Sequence, residues 1–146
     1  MKRILRIFLS IVILMTSLGS IAPAQNDSAQ ALRNYLGGQK FLVTYRQGGP
    51  VYGTYFFLEV DLCRSGNYIA YGQSRKQNVV FDRTEQVHTS TDRGRWNTGY
   101  YSGQLGIQYV SMSGQVSVYP IRIGPNGEVH TNNGLTVVRK GAAQCE

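Results

Sequence analysis

The chain has 146 residues, with 15 Lys and Arg against 8 Asp and Glu. That length accommodates one domain, and a composition 42% hydrophobic but only 16% charged excludes wholesale disorder. With 17 Gly and 10 Tyr, and abundant Val, Ser and Thr, it points to short strands and turns and away from helical bundles, coiled coils, collagen and polytopic membrane proteins.

Residues 1–24 read as a signal peptide. Lys2, Arg3 and Arg6 make a basic start. Ile7 to Leu18 is an apolar stretch broken only by Ser10, Thr16 and Ser17, and Ala22-Pro23-Ala24 has the small-x-small pattern of a cleavage site. An apolar run this short falls below the roughly 20 residues that cross a bilayer, so cleavage before Gln25 is expected, with no membrane span afterwards. No Cys lies near the cut, which argues against a lipid anchor. The expected location is the periplasm or the medium. Cleavage removes three basic residues and leaves twelve against eight, a net of +4 over 122 residues. The remaining cations, Arg64, Arg75, Arg122 and Lys140 among them, are scattered as on an ordinary solvated surface, so no specific nucleic-acid partner is expected.

Export gives the cysteines meaning. Two thiols in an oxidising compartment most simply pair, so Cys63 and the penultimate Cys145 are expected to form a disulfide that holds down the C-terminus. Neither has a CxxC partner or a nearby His, as a reactive thiol would need.

Residues 25–37 form an N-terminal segment with one short helix. Asn26, Asp27 or Ser28 caps it, Ala29, Leu32, Tyr35 and Leu36 recur at helical spacing, and Gly37-Gly38 stops it. Too short to persist alone, the helix is expected to plug or flank one end of a sheet. From residue 38 to residue 146 the apolar period is two. Phe41, Val43 and Tyr45 alternate with Leu42, Thr44 and Arg46, and Gly48-Gly49-Pro50 turns the chain. Phe56, Leu58, Val60 and Leu62 share one face while Glu59 and Asp61 point the other way, the pattern of a half-buried antiparallel strand. Ser65-Gly66-Asn67 turns into a partner strand from Tyr68 to Ser74.

Residues 75–95 read as a polar stretch holding two short strands, Val79-Val80-Phe81 and Gln86-Val87-His88, then a turn at Asp92-Arg93-Gly94, with Trp96 opening the next strand. A turn spans Gly99 to Gly103, and Leu105, Ile107 and Tyr109 alternate after it. Ser113-Gly114 leads into Val116 to Ile123, and Pro125-Asn126-Gly127 is a further turn. Val129 to Thr131 and Leu135 to Arg139 flank Asn132-Asn133-Gly134, a type I′ hairpin signal. Eight or nine strands at roughly 10-residue spacing, without crossover helices, predict an all-β antiparallel up-and-down barrel or sandwich.

Little of this carries reaction chemistry. Glu85 and His88 make an E-x-x-H pair, but on a strand positions three apart project to opposite faces, and no second His stands nearby, so no metal is expected. A small ribonuclease-like hydrolase would draw on Glu85, His88, Arg93 or Arg95, and His130 as base, acid and phosphorane stabiliser, residue types that most domains of this size contain. There is no G-x-S-x-G elbow, and Gly124-Pro125-Asn126-Gly127 precedes no helix that could bind phosphate, so no cofactor is expected. Tyrosines carry the better argument. Tyr68, Tyr71, Tyr109 and Tyr119, with Trp96, fall on or near adjacent candidate strands, and a phenol offers both a stacking face and a hydrogen-bonding tip. Against this, Tyr and Trp also favour half-buried strands for packing alone.

A short helix before the first strand, an up-and-down meander and a cysteine pair that ties the C-terminal segment back together resemble the lipocalin-like (calycin) group of small exported β-barrels. That family's G-x-W triplet stands here as Gly94-Arg95-Trp96, in mid-chain and not on the first strand. The resemblance implies a closed barrel with a binding mouth. It implies no particular ligand, because such folds host unrelated ones. The expected function is non-catalytic binding of a small amphiphile, a glycan or a protein by a monomer. The alternatives are the hydrolase and an inhibitor or immunity-type protein acting through a surface loop at residues 75–95.

Overall fold

The structure, a computed structural model, describes residues 22–48, 52–78, 82–131 and 135–145. The basic start and apolar stretch of the expected signal peptide lie outside the described residues, as do Gly49-Pro50 of the first expected turn, the expected short strand Val79-Val80-Phe81 and the expected hairpin turn Asn132-Asn133-Gly134. Among the described residues one helix, α1 (Ala22–Leu36), precedes eight strands: β1 (Gln39–Gly48), β2 (Tyr52–Leu62), β3 (Asn67–Asn78), β4 (Asp82–Tyr101), β5 (Gln104–Ser111), β6 (Val116–Ile123), β7 (Val129–Thr131) and β8 (Thr136–Ala142). Each strand pairs antiparallel with the next, and β8 pairs back onto β1 from Gln39↔Ala142 to Thr44↔Thr136, closing a barrel. Closure decides between the barrel and the sandwich that the sequence pattern left open, although β4 reaches beyond β5, with which it pairs only over Gly94–Tyr101. Among the described residues no helix is long and apolar enough to cross a membrane.

α1 begins at Ala22, ahead of the Asn26–Ser28 cap expected from the sequence. Gly37 and Gly38 end it as expected, with Gly38 at φ 81°. The helix closes one end of the barrel. Leu32 and Leu36 are buried in a core with Phe41, Leu62, Ile107 and Ile121. Thr98 Oγ1 donates to the Ala29 carbonyl at 2.6 Å, and the Tyr35 hydroxyl donates to the Gly127 carbonyl.

The C-terminal segment is fastened at the same end. Cys63 and Cys145 form the expected disulfide, with Cα atoms 5.8 Å apart. The Ala143 N–H donates to the Gly38 carbonyl at 2.9 Å. Asp61, expected to face solvent, is instead only 1% exposed. It does point out of the barrel, but the returning segment covers it: the Gln144 N–H donates to Oδ1 at 3.1 Å and Lys40 Nζ stands 3.7 Å from Oδ2. A buried carboxylate needs such partners, and the disulfide-tethered segment brings one of them while β1 brings the other.

The expected loop at 75–95 is the main correction. β3 runs on to Asn78 and β4 is one strand of 20 residues, the two paired from Asn67↔Arg95 to Asn78↔Asp82. There is no turn at Asp92-Arg93-Gly94. Gly94 is there because the backbone of β5 comes so close that an added Cβ would lie 2.0 Å from the Val110 carbonyl oxygen. Trp96 therefore lies inside β4 and does not open it. The turn expected over Gly99 to Gly103 shrinks to Ser102-Gly103, with φ of 50° and 77° as a type I′ turn requires.

Candidate functional site

Alternation along the strands points one row of side chains into the barrel. At the plugged end these rows meet α1 and fill the interior. Towards the other end they diverge around a cavity of about 720 Å³. Its floor is apolar, with Leu36, Phe41, Leu62, Ile107 and Ile121. Tyr45 and Phe56, stacked with centroids 4.4 Å apart, stand higher on the wall. The rim is polar: Ser74, His88, Ser90, Ser111, Gln115 and Thr131. A more open hollow of about 900 Å³ lies outside, between α1 and the β5–β6 face.

Of the five aromatic residues singled out from the sequence, the structure brings three together. Tyr68, Tyr109 and Tyr119 all line the cavity and meet edge to face, with centroids 5.1 Å apart for the first pair and 6.0 Å for the second. Tyr71 is not with them: one position from Ala70, which lines the cavity, it faces outward and is 46% exposed. Trp96 is inward but at the sealed end, 2% exposed. Its Nε1 donates to the Cys63 carbonyl at 2.9 Å and the Arg33 guanidinium lies 5.1 Å above its ring, so it is a packing residue under the helix. Arg33 is held there by Asn97 Oδ1, to which its Nη1 donates at 2.5 Å.

Asp92 was hidden in the sequence by its turn-like neighbours. Its Oδ2 accepts a hydrogen bond from the Tyr68 hydroxyl at 2.5 Å and its Oδ1 one from the Arg93 N–H at 2.9 Å. Burial pushes the Tyr68 phenol above its usual value, and the hydrogen bond to Asp92, the charge of Asp92 and the neighbouring Tyr119 push the same way. Burial raises Tyr109 likewise, with Tyr119 and Tyr68 adding to it. The signal that could have found Asp92 is the inward row His88, Ser90, Asp92, Gly94, Trp96, Thr98, which reads as one strand once the turn is set aside.

The hydrolase residues are not assembled. His88 is on the cavity rim, whereas His130 lies between Val129 and Thr131, which line the cavity, and so faces out, 3.5 Å from Glu128. Bonds from its own and the Asn126 backbone, with His130 beside it, hold the Glu128 carboxyl below the usual range. The side chain of Glu85 lies outside the described residues. Among the described residues no three His, Cys, Asp or Glu side chains come together as a metal site. No protein-family model matches the chain, and neither does any curated protein or solved structure.

Proposed function

We propose that the protein is an exported, non-catalytic, monomeric binding protein whose barrel takes a small amphiphile through its open end. The cavity carries this reading. At about 720 Å³ it falls within the roughly 300–1,000 Å³ of small-molecule sites, and its polarity is graded, apolar below and hydroxyl-rich above. An apolar tail would lie against Leu62, Ile107 and Ile121 while a polar head stayed among Ser90, Ser111 and Gln115. A glycan offers that floor few apolar faces, and a folded partner would not enter it. Residues 75–78 and 82–95 lie in strands, which does not favour an inhibitor acting through a loop of that span. Kinship with lipocalin-like barrels is part of the proposal, supported by strand order, the preceding helix and the C-terminal disulfide. Export through cleavage after Ala24 is supported by the N-terminal pattern and by the disulfide, which suits an oxidising compartment.

Titration with the apolar fluorophore N-phenyl-1-naphthylamine tests the reading: emission should rise and saturate at one probe per chain, and decanol should displace it. A flat titration sinks the proposal. N-terminal analysis of protein recovered from the periplasm or medium should find Gln25 first.

A further inference from the structure

Asp92 is the single Asp, Glu, Lys or Arg among the described residues lining the cavity. Both of its hydrogen-bond donors, the Tyr68 hydroxyl and the Arg93 backbone N–H, are neutral. Neither ion pair found among the described residues involves it. An ionised carboxylate has about four acceptor positions, so two remain for something in the cavity. Beside it, Tyr109 and Tyr119 present partly buried rings to the same space. Aromatic faces attract cations. The molecule as a whole is basic, so the sign of charge inside the barrel opposes that of the whole chain.

We infer that the cavity selects amphiphiles with a cationic head, an amine or quaternary ammonium, placed against the Asp92 carboxylate and the Tyr109–Tyr119 wall with its apolar tail on the floor. This rests on the reading of the barrel as an amphiphile site and names the class of head it takes. An anionic head in the same place would meet the carboxylate, a like charge, at close range. Long-range steering by a basic protein does not favour a cation, so the selection arises from contact inside the barrel.

Displacement of bound N-phenyl-1-naphthylamine by three ligands of equal chain length separates the outcomes: decyltrimethylammonium, decanol and decanoate, each below its micelle concentration. The ammonium should act at about tenfold lower concentration than decanoate, the scale of one charge-assisted contact. Asp92→Asn should bring it level with decanol, whereas Glu59→Gln, which removes an exposed carboxylate that does not line the cavity, should preserve the preference. Equal potency of the three ligands, or a lead for decanoate, overturns the choice of head and leaves the amphiphile site standing. A preference that survives Asp92→Asn overturns the role of Asp92. Should Asp92→Asn not fold, Asp92→Ser takes its place in the same comparison. No probe uptake overturns the cavity reading, and this inference falls with it.

Discussion

The two ends of the barrel are built differently. At the sealed end Leu36 and Trp96 are each 2% exposed, α1 covers the strand ends, and the Cys63–Cys145 disulfide and buried Asp61 fasten the C-terminal segment. At the open end Tyr45 and Leu58 line the interior yet are 39% and 36% exposed, because the space beside them is empty. There β4 pairs with β5 only over Gly94–Tyr101, and from Asp82 to Asn78's level on through Arg93 its ladder runs to β3 alone, so the rim is uneven. Stability is concentrated where packing is dense, and that leaves the other end free to stay hollow. A barrel this small ordinarily fills its interior or holds one small ligand; here each half does one of these things.

The comparison breaks most readily at the disulfide. Replacing Cys63 and Cys145 together by Ser releases a closure over 82 residues and should lower unfolding free energy by about 4–5 kcal/mol on loop entropy, read from urea midpoints. Trp96→Ala should cost about 3–5 kcal/mol by leaving a cavity under α1 and removing one of the two donors to the Cys63 carbonyl, the Gly66 N–H being the other, and should lower the thermal midpoint without oxidant dependence. Alkaline pH tests the tyrosine cluster between the two ends. Folding raises the Tyr68 and Tyr109 phenols above their usual 10.0, so at high pH the folded state holds more protons than the unfolded one. Stability should be complete below the usual value and fall as pH rises above it, and Tyr68→Phe should flatten that fall in denaturant midpoints taken between about pH 9 and 12. The smallest stability effect belongs to the open end. Leu58→Ser should cost less than about 1 kcal/mol, since the side chain is already 36% exposed, yet weaken uptake of the naphthylamine probe. A large loss of stability there would erase the contrast between the ends.

Much of the fold was legible because strand periodicity survives in a closed sheet. Phe56, Leu58, Val60 and Leu62 do share the inward face, and the type of chain turn at Pro125-Asn126-Gly127 matches the bond from the Gly127 N–H to the Gly124 carbonyl at 3.0 Å. β4 was misread where Asp92-Arg93-Gly94 imitates a turn. The same three letters serve a strand whose glycine admits a neighbouring backbone and whose aspartate meets a tyrosine from β3. Tyr71 and Trp96 show the limit for the site: aromatic content marks candidate strands, but facing and depth separate a wall of the cavity from the outer surface or the packed floor.

By itself the amino-acid order determined the all-β class, the terminal helix and the cysteine pairing, because alternation, helix-stop glycines and a single pair of thiols are local or combinatorial facts. Tertiary structure alone decided that the sheet closes, that Asp61 is covered by the chain's far end, and that Asp92 joins Tyr68, Tyr109 and Tyr119 around an empty space. Those outcomes depend on strand tilt, register and the distance between segments remote in sequence, none of which a linear pattern encodes.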